Sequence, residues 1–304
     1  MNMSEPIQFS AAGLRGEMLR DEPMSRHVSW RAGGVAQRLY RPADLADLQH
    51  FLQQTPADEP LLFVGLGSNL LVRDGGFRGT VVQMVGALTE LHMDGELIYA
   101  QAGVPGAKLA RFAATNNFCG AEFFVGIPGT LGGMLTMNAG CYGGETWQKV
   151  DRVQVMARDG SLLERAPQEY EIGYRHVALR SAREEFFVGA WLRLEKGDVE
   201  EARQAIKVLM EKRSATQPLN LPNAGSVFRN PPGNHAAKLI EGCGLKGKRI
   251  GGAEVSEKHA NFIVNAGGAT AADIENLLEE VQAKVRQQTG IELHAEVRIV
   301  GEKA

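Results

Sequence analysis

The chain has no apolar run long enough to span a bilayer, and its first residues carry Glu5 without an apolar segment. Neither a membrane span nor a secretory leader is expected. Positive charge is not in excess. Lys and Arg number 33 against 36 Asp and Glu, for a net charge of −3, and no basic cluster is interleaved with aromatics, which excludes an electrostatic footprint for nucleic acid. Cysteine is scarce: Cys119, Cys141 and Cys243 are odd in number and widely spaced, which argues against a disulfide framework and against a zinc site. They read as small buried hydrophobes, and no metal is expected. Repeats and low-complexity segments are absent. These absences leave a cytoplasmic protein of 304 residues, enough for two domains or three. A monomer is expected.

Glycine, in contrast, is plentiful, with 36 in the chain. Between Gly126 and Gly144, seven of nineteen residues are glycine and none is charged; Thr130, Thr136, Asn138 and Tyr142 supply the polar side chains. Glycine lets backbone approach a ligand closely, so the stretch suits a large, flat, partly polar cofactor better than a protein partner. A tightly packed turn region would look the same. A second glycine loop, Gly65-Leu66-Gly67-Ser68-Asn69-Leu70, looks like a dinucleotide fingerprint but has Leu70 in place of the third glycine and runs from strand to strand. It reads either as a tight turn or as a nest of backbone N–H groups for a pyrophosphate.

Periodicity predicts a helix over 44–52 after Pro42 and strands at 61–64, 70–72, 80–84 and 97–101. A helix follows at 107–116, then alternation at Val153, Val155 and Ala157 with a hairpin turn at Asp159-Gly160 leading to Leu162, and a strand at 187–194. Charge density rises near Glu195-Lys196-Gly197-Asp198, where a domain boundary is placed. Beyond it come a helix over 199–213 burying Ala202, Ile206, Leu209 and Met210, a helix near 236–240 and a strand near 262–265. Thr270 and Asp273 form a capping box for a helix burying Ile274, Leu277, Leu278, Val281 and Val285. A last strand over 291–300 alternates Ile291, Leu293, Ala295, Val297 and Ile299 against Glu292, His294, Glu296 and Arg298. The first 25 residues show no periodicity and read as a loose arm. The irregular mixture predicts an α+β fold.

Four segments in this order and spacing carry a resemblance: Ser29-Trp30-Arg31-Ala32-Gly33-Gly34, Gly65 to Val72, Gly126 to Gly144, and Asn223-Ala224-Gly225-Ser226-Val227-Phe228-Arg229-Asn230-Pro231. Together they resemble the UDP-N-acetylenolpyruvoylglucosamine reductase family, in its compact branch without the extra tyrosine-bearing insertion. The resemblance implies an arm over 1–29 and an FAD-binding domain of the vanillyl-alcohol-oxidase type over 30–195, in two subdomains split near 85. It implies a smaller α+β substrate-binding domain over 196–304, whose last strand carries Glu296 to the active site. It also implies non-covalent FAD, NADPH as hydride donor and a sugar-nucleotide substrate. Cofactor contacts are expected at Gly65, Gly67, Ser68, Asn69 and Leu70, and at Gly126, Ile127, Pro128, Gly129, Thr130, Gly132, Gly133, Asn138, Ala139 and Gly140. The catalytic residues it implies are Arg175, a cation for the substrate carboxylate; Ser226, a proton donor to carbon; and Glu296, a support for an enol-like intermediate. Substrate contacts fall on Tyr174, Arg213 and Asn230. By themselves Arg175 reads as a solvated charge, Gly225-Ser226 as a turn, and Glu296 as an exposed strand face. Arg229 stands where the family commonly has lysine, and Cys141 where alanine is common. His27 and His259 match no catalytic position of the family. Another flavin enzyme on the same FAD domain, and a nucleotide-binding module without turnover, are the competing readings.

Overall fold

A computed structural model describes residues 13–304. The chain divides into two compact packing units, neither of them contiguous. The first comprises residues 13–20 with Arg38–Gly65 and Gly79–Arg213; the second comprises Asp21–Gln37, Leu66–Arg78 and Ser214–Ala304. The contiguous blocks expected from sequence are not the packing units. From residues 21–37 and 66–78, Trp30, Ala32 and Leu71 belong to one core with Val227, Phe228, Ile240, Ile274 and Leu293 of the C-terminal third.

In the first unit, Asp44 caps the helix Leu45–Gln54 by accepting from Asp47 N at 2.9 Å, and Leu48, Phe51 and Leu52 turn inward. A five-stranded antiparallel sheet runs in the order Leu162–Arg165, Val150–Ala157, Glu185–Leu192, Leu97–Gln101, Leu91–Asp94. Its first hairpin closes where Asp159 Oδ1 accepts from Ser161 N at 2.8 Å. The helix Gly106–Thr115 supplies Leu109, Ala110 and Ala113 to the same core as Val153, Val155 and Leu192.

In the second unit, a three-stranded antiparallel sheet orders Arg249–Ile250, Ala253–Val255 and Ile263–Asn265. The helix Ala271–Thr289 packs on it with all five expected residues buried. Thr270 and Asp273 cap that helix reciprocally, and Gly290 ends it at φ +73°. Arg298–Val300 pairs in parallel with Leu70–Val72.

Several expectations are corrected. Within the supposed loose arm, Glu17–Pro23 is a strand. It carries only Met18 and Leu19 as large apolar residues, too few to alternate visibly. Tyr170–Gly173 and His176–Leu179 form an unforeseen hairpin. The glycine stretch contains a short helix, Leu131–Thr136, whose Leu131, Met134 and Leu135 are buried at helical spacing. The strand expected over 291–300 is one isolated bridge, Ala295 to Phe228, followed by the short strand Arg298–Val300, because the segment changes partner midway. Met210 is 44% exposed, since the helix Val199–Thr216 buries only Ala202 and Ile206.

Candidate active site

The first unit brings the glycine stretch, Tyr174, Arg175 and Arg213 together. Arg175 is the second residue of the two-residue turn between Gly173 and His176, at φ +54°. Its Nη2 donates to the Gly140 carbonyl at 2.9 Å and its Nη1 to the Asn138 carbonyl at 3.5 Å. The cation is therefore tied to the end of the glycine stretch, not solvated at random. Tyr174, beside it in the turn, is 48% exposed, with its ring centre 5.3 Å from the Arg175 guanidinium carbon.

Asn138 is 1% exposed and left-handed at φ +44°. Its Oδ1 accepts from Trp147 N at 3.1 Å, while Nδ2 donates to Glu145 Oε2 at 2.9 Å and to the Gly173 carbonyl at 3.1 Å. Its amide thus works inside the protein.

Arg213, in the last turn of the helix Val199–Thr216, donates from Nη1 to the Val125 carbonyl at 3.3 Å. Burial pulls its guanidinium below the ordinary value, opposed by Tyr142 and Cys141. Burial also pushes the Cys141 thiol up to about 11, against the pull of Arg175 and Arg213. That thiol donates to the Phe123 carbonyl at 3.1 Å, and a Cβ on Gly126 would stand 2.6 Å from its sulfur.

Much of the glycine content is explained by such internal close packing. One place is different. Thr130 Oγ1 is buried with no hydrogen-bond partner among the described residues, and a Cβ on Gly65 would overlap it. An orphaned hydroxyl costs free energy unless a ligand meets it. It stands in an uncharged stretch, as a large neutral-faced cofactor with a polar rim requires. Gly65, Thr130 and the stretch 126–140 therefore fit FAD.

The second unit brings Gly67, Ser68, Asn69 and Leu70 together with Ser226 and Glu296. As expected, the glycine loop joins two strands, Leu61–Val64 and Leu70–Val72. Gly67 sits at φ +60°, and a Cβ there would overlap the His27 carbonyl, while Ser29 N donates to the Gly67 carbonyl at 3.1 Å. Asn69 Nδ2 donates to the Glu296 carbonyl at 3.0 Å, and Glu296 N donates to the Val227 carbonyl at 2.8 Å. Glu296 is thus fixed from both sides of its backbone, one of them the residue after Ser226. Ser226 lies between Gly225, whose N–H donates to Asn223 Oδ1 at 3.0 Å, and Val227, whose N–H donates to the Asn261 carbonyl at 2.9 Å. Asn230 Oδ1 accepts from Ala236 N at 3.0 Å and so starts the helix Ala236–Gly242.

Sequence reasoning missed Asn261. Its Oδ1 accepts from Phe228 N at 3.0 Å and its Nδ2 donates to the Phe228 carbonyl at 2.8 Å, clamping the Ser226 segment. Its setting in sequence, His259-Ala260-Asn261, gave no signal of that partner. His259 keeps to a supporting place: its Nδ1 accepts from Asn261 N at 3.3 Å, and burial lowers its pKa. A cavity of about 660 Å³ in this unit is lined by Ser214, Gln217–Leu221, Glu254 and Ser256–Lys258 among others; none of the expected site residues lines it. Among the described residues no group of three or more His, Cys, Asp or Glu is placed to hold a metal ion, and no helix is long and apolar enough to cross a membrane.

Residues 36–165 match the family model described as an FAD binding domain. With the mixed helices and strands, this defines the class: an α+β, FAD-dependent oxidoreductase. Residues 217–300 match the C-terminal domain model of UDP-N-acetylenolpyruvoylglucosamine reductase. A relative of that name from Thiobacillus denitrificans is 57% identical over 100% of this chain and 98% of its own length. Another, from Nitrosomonas eutropha, is 56% identical over 95% of this chain and 90% of its own. The crystal structure of UDP-N-acetylenolpyruvylglucosamine reductase (MurB) from Thermus caldophilus matches with a TM-score of 0.80 at 31% identity, over 94% of this chain and 99% of that one. The chain belongs to the UDP-N-acetylenolpyruvoylglucosamine reductase family.

Proposed function

We propose that the chain reduces UDP-N-acetylglucosamine enolpyruvate to UDP-N-acetylmuramate with NADPH, a step of peptidoglycan precursor synthesis, and that it does so as a cytoplasmic monomer. The observation that carries this reading is the joint presence, in one chain, of the FAD binding domain and the reductase C-terminal domain. FAD, when bound, would supply the hydride chemistry that links NADPH to the β-carbon of the enolpyruvyl group.

The chain's own residues hold the cofactor and manage charge and protons. Gly65, Gly67, Ser68, Asn69 and Leu70 hold the pyrophosphate through backbone N–H groups. The stretch Gly126, Ile127, Pro128, Gly129, Thr130, Gly132, Gly133, Asn138, Ala139 and Gly140 holds the ring system, with the Thr130 hydroxyl as a side-chain contact. Residues 30–195 serve as the FAD-binding domain, with subdomains split near 85, and 196–304 as the substrate-binding domain. This is a division by ligand, not by packing.

Hydride arriving at the β-carbon leaves an electron pair delocalised onto the carboxylate. The Arg175 guanidinium stays charged and neutralises it, and Glu296 shares a hydrogen bond with the enol-like intermediate. Ser226 Oγ–H gives its proton to the α-carbon and regains one from water, which completes addition of H⁻ and H⁺ across the double bond. Tyr174 and Arg213 contact the sugar nucleotide, and Asn230 its diphosphate. An anaerobic titration tests the reading: NADPH should bleach the flavin, and the enolpyruvyl sugar nucleotide should restore its colour. Colourless protein that binds no added FAD would overturn it.

A further inference from the structure

We infer that Asn138 is the positioning residue for Arg175, a role distinct from any contact with the cofactor and resting on the place of Arg175 in the proposed reaction. Among the residues of this site, three other than glycine stand in the left-handed region, Asn138 at φ +44°, Tyr142 at φ +52° and Arg175 at φ +54°. Such a conformation is unfavourable for arginine and persists only where surrounding bonds impose it. Asn138 supplies those bonds at two points. Its Nδ2 holds the Gly173 carbonyl, the last residue before the turn, at 3.1 Å. Its own carbonyl, beside that of Gly140, receives the Arg175 guanidinium.

The side chain is itself locked by Trp147 N and Glu145 Oε2, so the hook does not swing. Asparagine is the residue that meets every demand: it tolerates positive φ, offers two N–H donors to two acceptors, and accepts from Trp147. Aspartate has the shape and the φ tolerance but would set a carboxylate against Glu145 and the Gly173 carbonyl. Glycine has the φ tolerance and no hook. The comparison of these two variants therefore separates backbone strain from hydrogen bonding.

The experiment uses the FAD-loaded protein with Asn138→Gly and Asn138→Asp, each also made in an Arg175→Ala background. Stopped-flow absorbance follows flavin bleaching by NADPH and, separately, colour return on adding the enolpyruvyl sugar nucleotide; calorimetry gives the affinity of the oxidised protein for that substrate. Both single variants should slow colour return about tenfold more than they slow bleaching, and should weaken substrate binding. In the Arg175→Ala background the same changes should cost less than about twofold, since the group they position is gone. An equal slowing of both half-reactions, or an undiminished effect in the Arg175→Ala background, would overturn the inference while leaving the reductase reading in place. Normal colour return in Arg175→Ala alone would instead remove Arg175 from the reaction and the inference with it. Should Asn138→Asp fail to fold, Asn138→Gly carries the test, because its backbone conformation is unstrained.

Discussion

Arg175 and the pair Ser226 and Glu296 are held in different ways, although the same reaction is assigned to all three. Arg175 is held through side chains: its own guanidinium on the Gly140 and Asn138 carbonyls, and the Asn138 amide on Gly173. Ser226 and Glu296 are held through their own stretch of main chain, which others grip: Val227 N donates to the Asn261 carbonyl, Glu296 N to the Val227 carbonyl, and the Glu296 carbonyl accepts from Asn69 Nδ2. A cation on a long flexible stem needs hooks, whereas a short hydroxyl inherits its position from the backbone beneath it. Substitutions near Arg175 should therefore alter catalysis first. Substitutions beneath Ser226 should alter folding first.

The largest expected effect is chemical. Ser226→Ala should slow colour return of the reduced flavin by about 10²–10⁴-fold while NADPH-driven bleaching and the melting temperature stay unchanged. Equal loss in both half-reactions would deny Ser226 the proton-donor role. Next comes the clamp. Asn261→Ala leaves the buried N–H and C=O of Phe228 without their partners and should lower stability by about 3 kcal/mol in urea unfolding. A change under about 0.5 kcal/mol would erase the contrast between the two modes of support.

A smaller effect is expected at Thr130→Val. Removing the orphaned hydroxyl should weaken FAD binding about fivefold while leaving the cofactor-free protein as stable or slightly more so. Unchanged FAD affinity by equilibrium dialysis would mean that the hydroxyl meets no ligand. The smallest concerns Cys141, whose thiol is raised from 9.0 to about 11 by burial. Its neutral form is favoured in the folded state, so this contribution is complete below pH 9 and is lost as pH rises through about 11. Cys141→Ala should flatten the alkaline decline in that window by about 2 kcal/mol, read by urea unfolding at pH 8 and 11.

Elements that bury a full periodic face were legible. The helix Ala271–Thr289 shows its capping box and its apolar face in the sequence itself. The hairpin that carries Arg175 was not, because Tyr170 alone of its residues is buried and its two four-residue strands are too short to show a periodic face. The helix Leu131–Thr136 was hidden by Gly132 and Gly133, which lower helix propensity and pointed to loop. The site residues were legible as motifs, while their supports were not. Asn261 lies 33 positions from Phe228, and Asn69 lies 227 positions from the Glu296 carbonyl it holds. No local pattern encodes a bond that closes only when the chain has folded.

The discontinuous packing units have a consequence for the order of synthesis. Trp30 is fully buried, yet its indole N–H bonds to the Ile263 carbonyl, 233 residues later. At about 5–20 residues per second, translation reaches that partner roughly 10–50 s after Trp30 is made. Until then Trp30, Ala32 and Leu71 have no core to enter, whereas the antiparallel sheet of the first unit has its last strand once Leu192 is joined. The nascent chain therefore carries its first tryptophan uncovered through most of its time on the ribosome, and holdase chaperones have there a target that the finished molecule no longer displays.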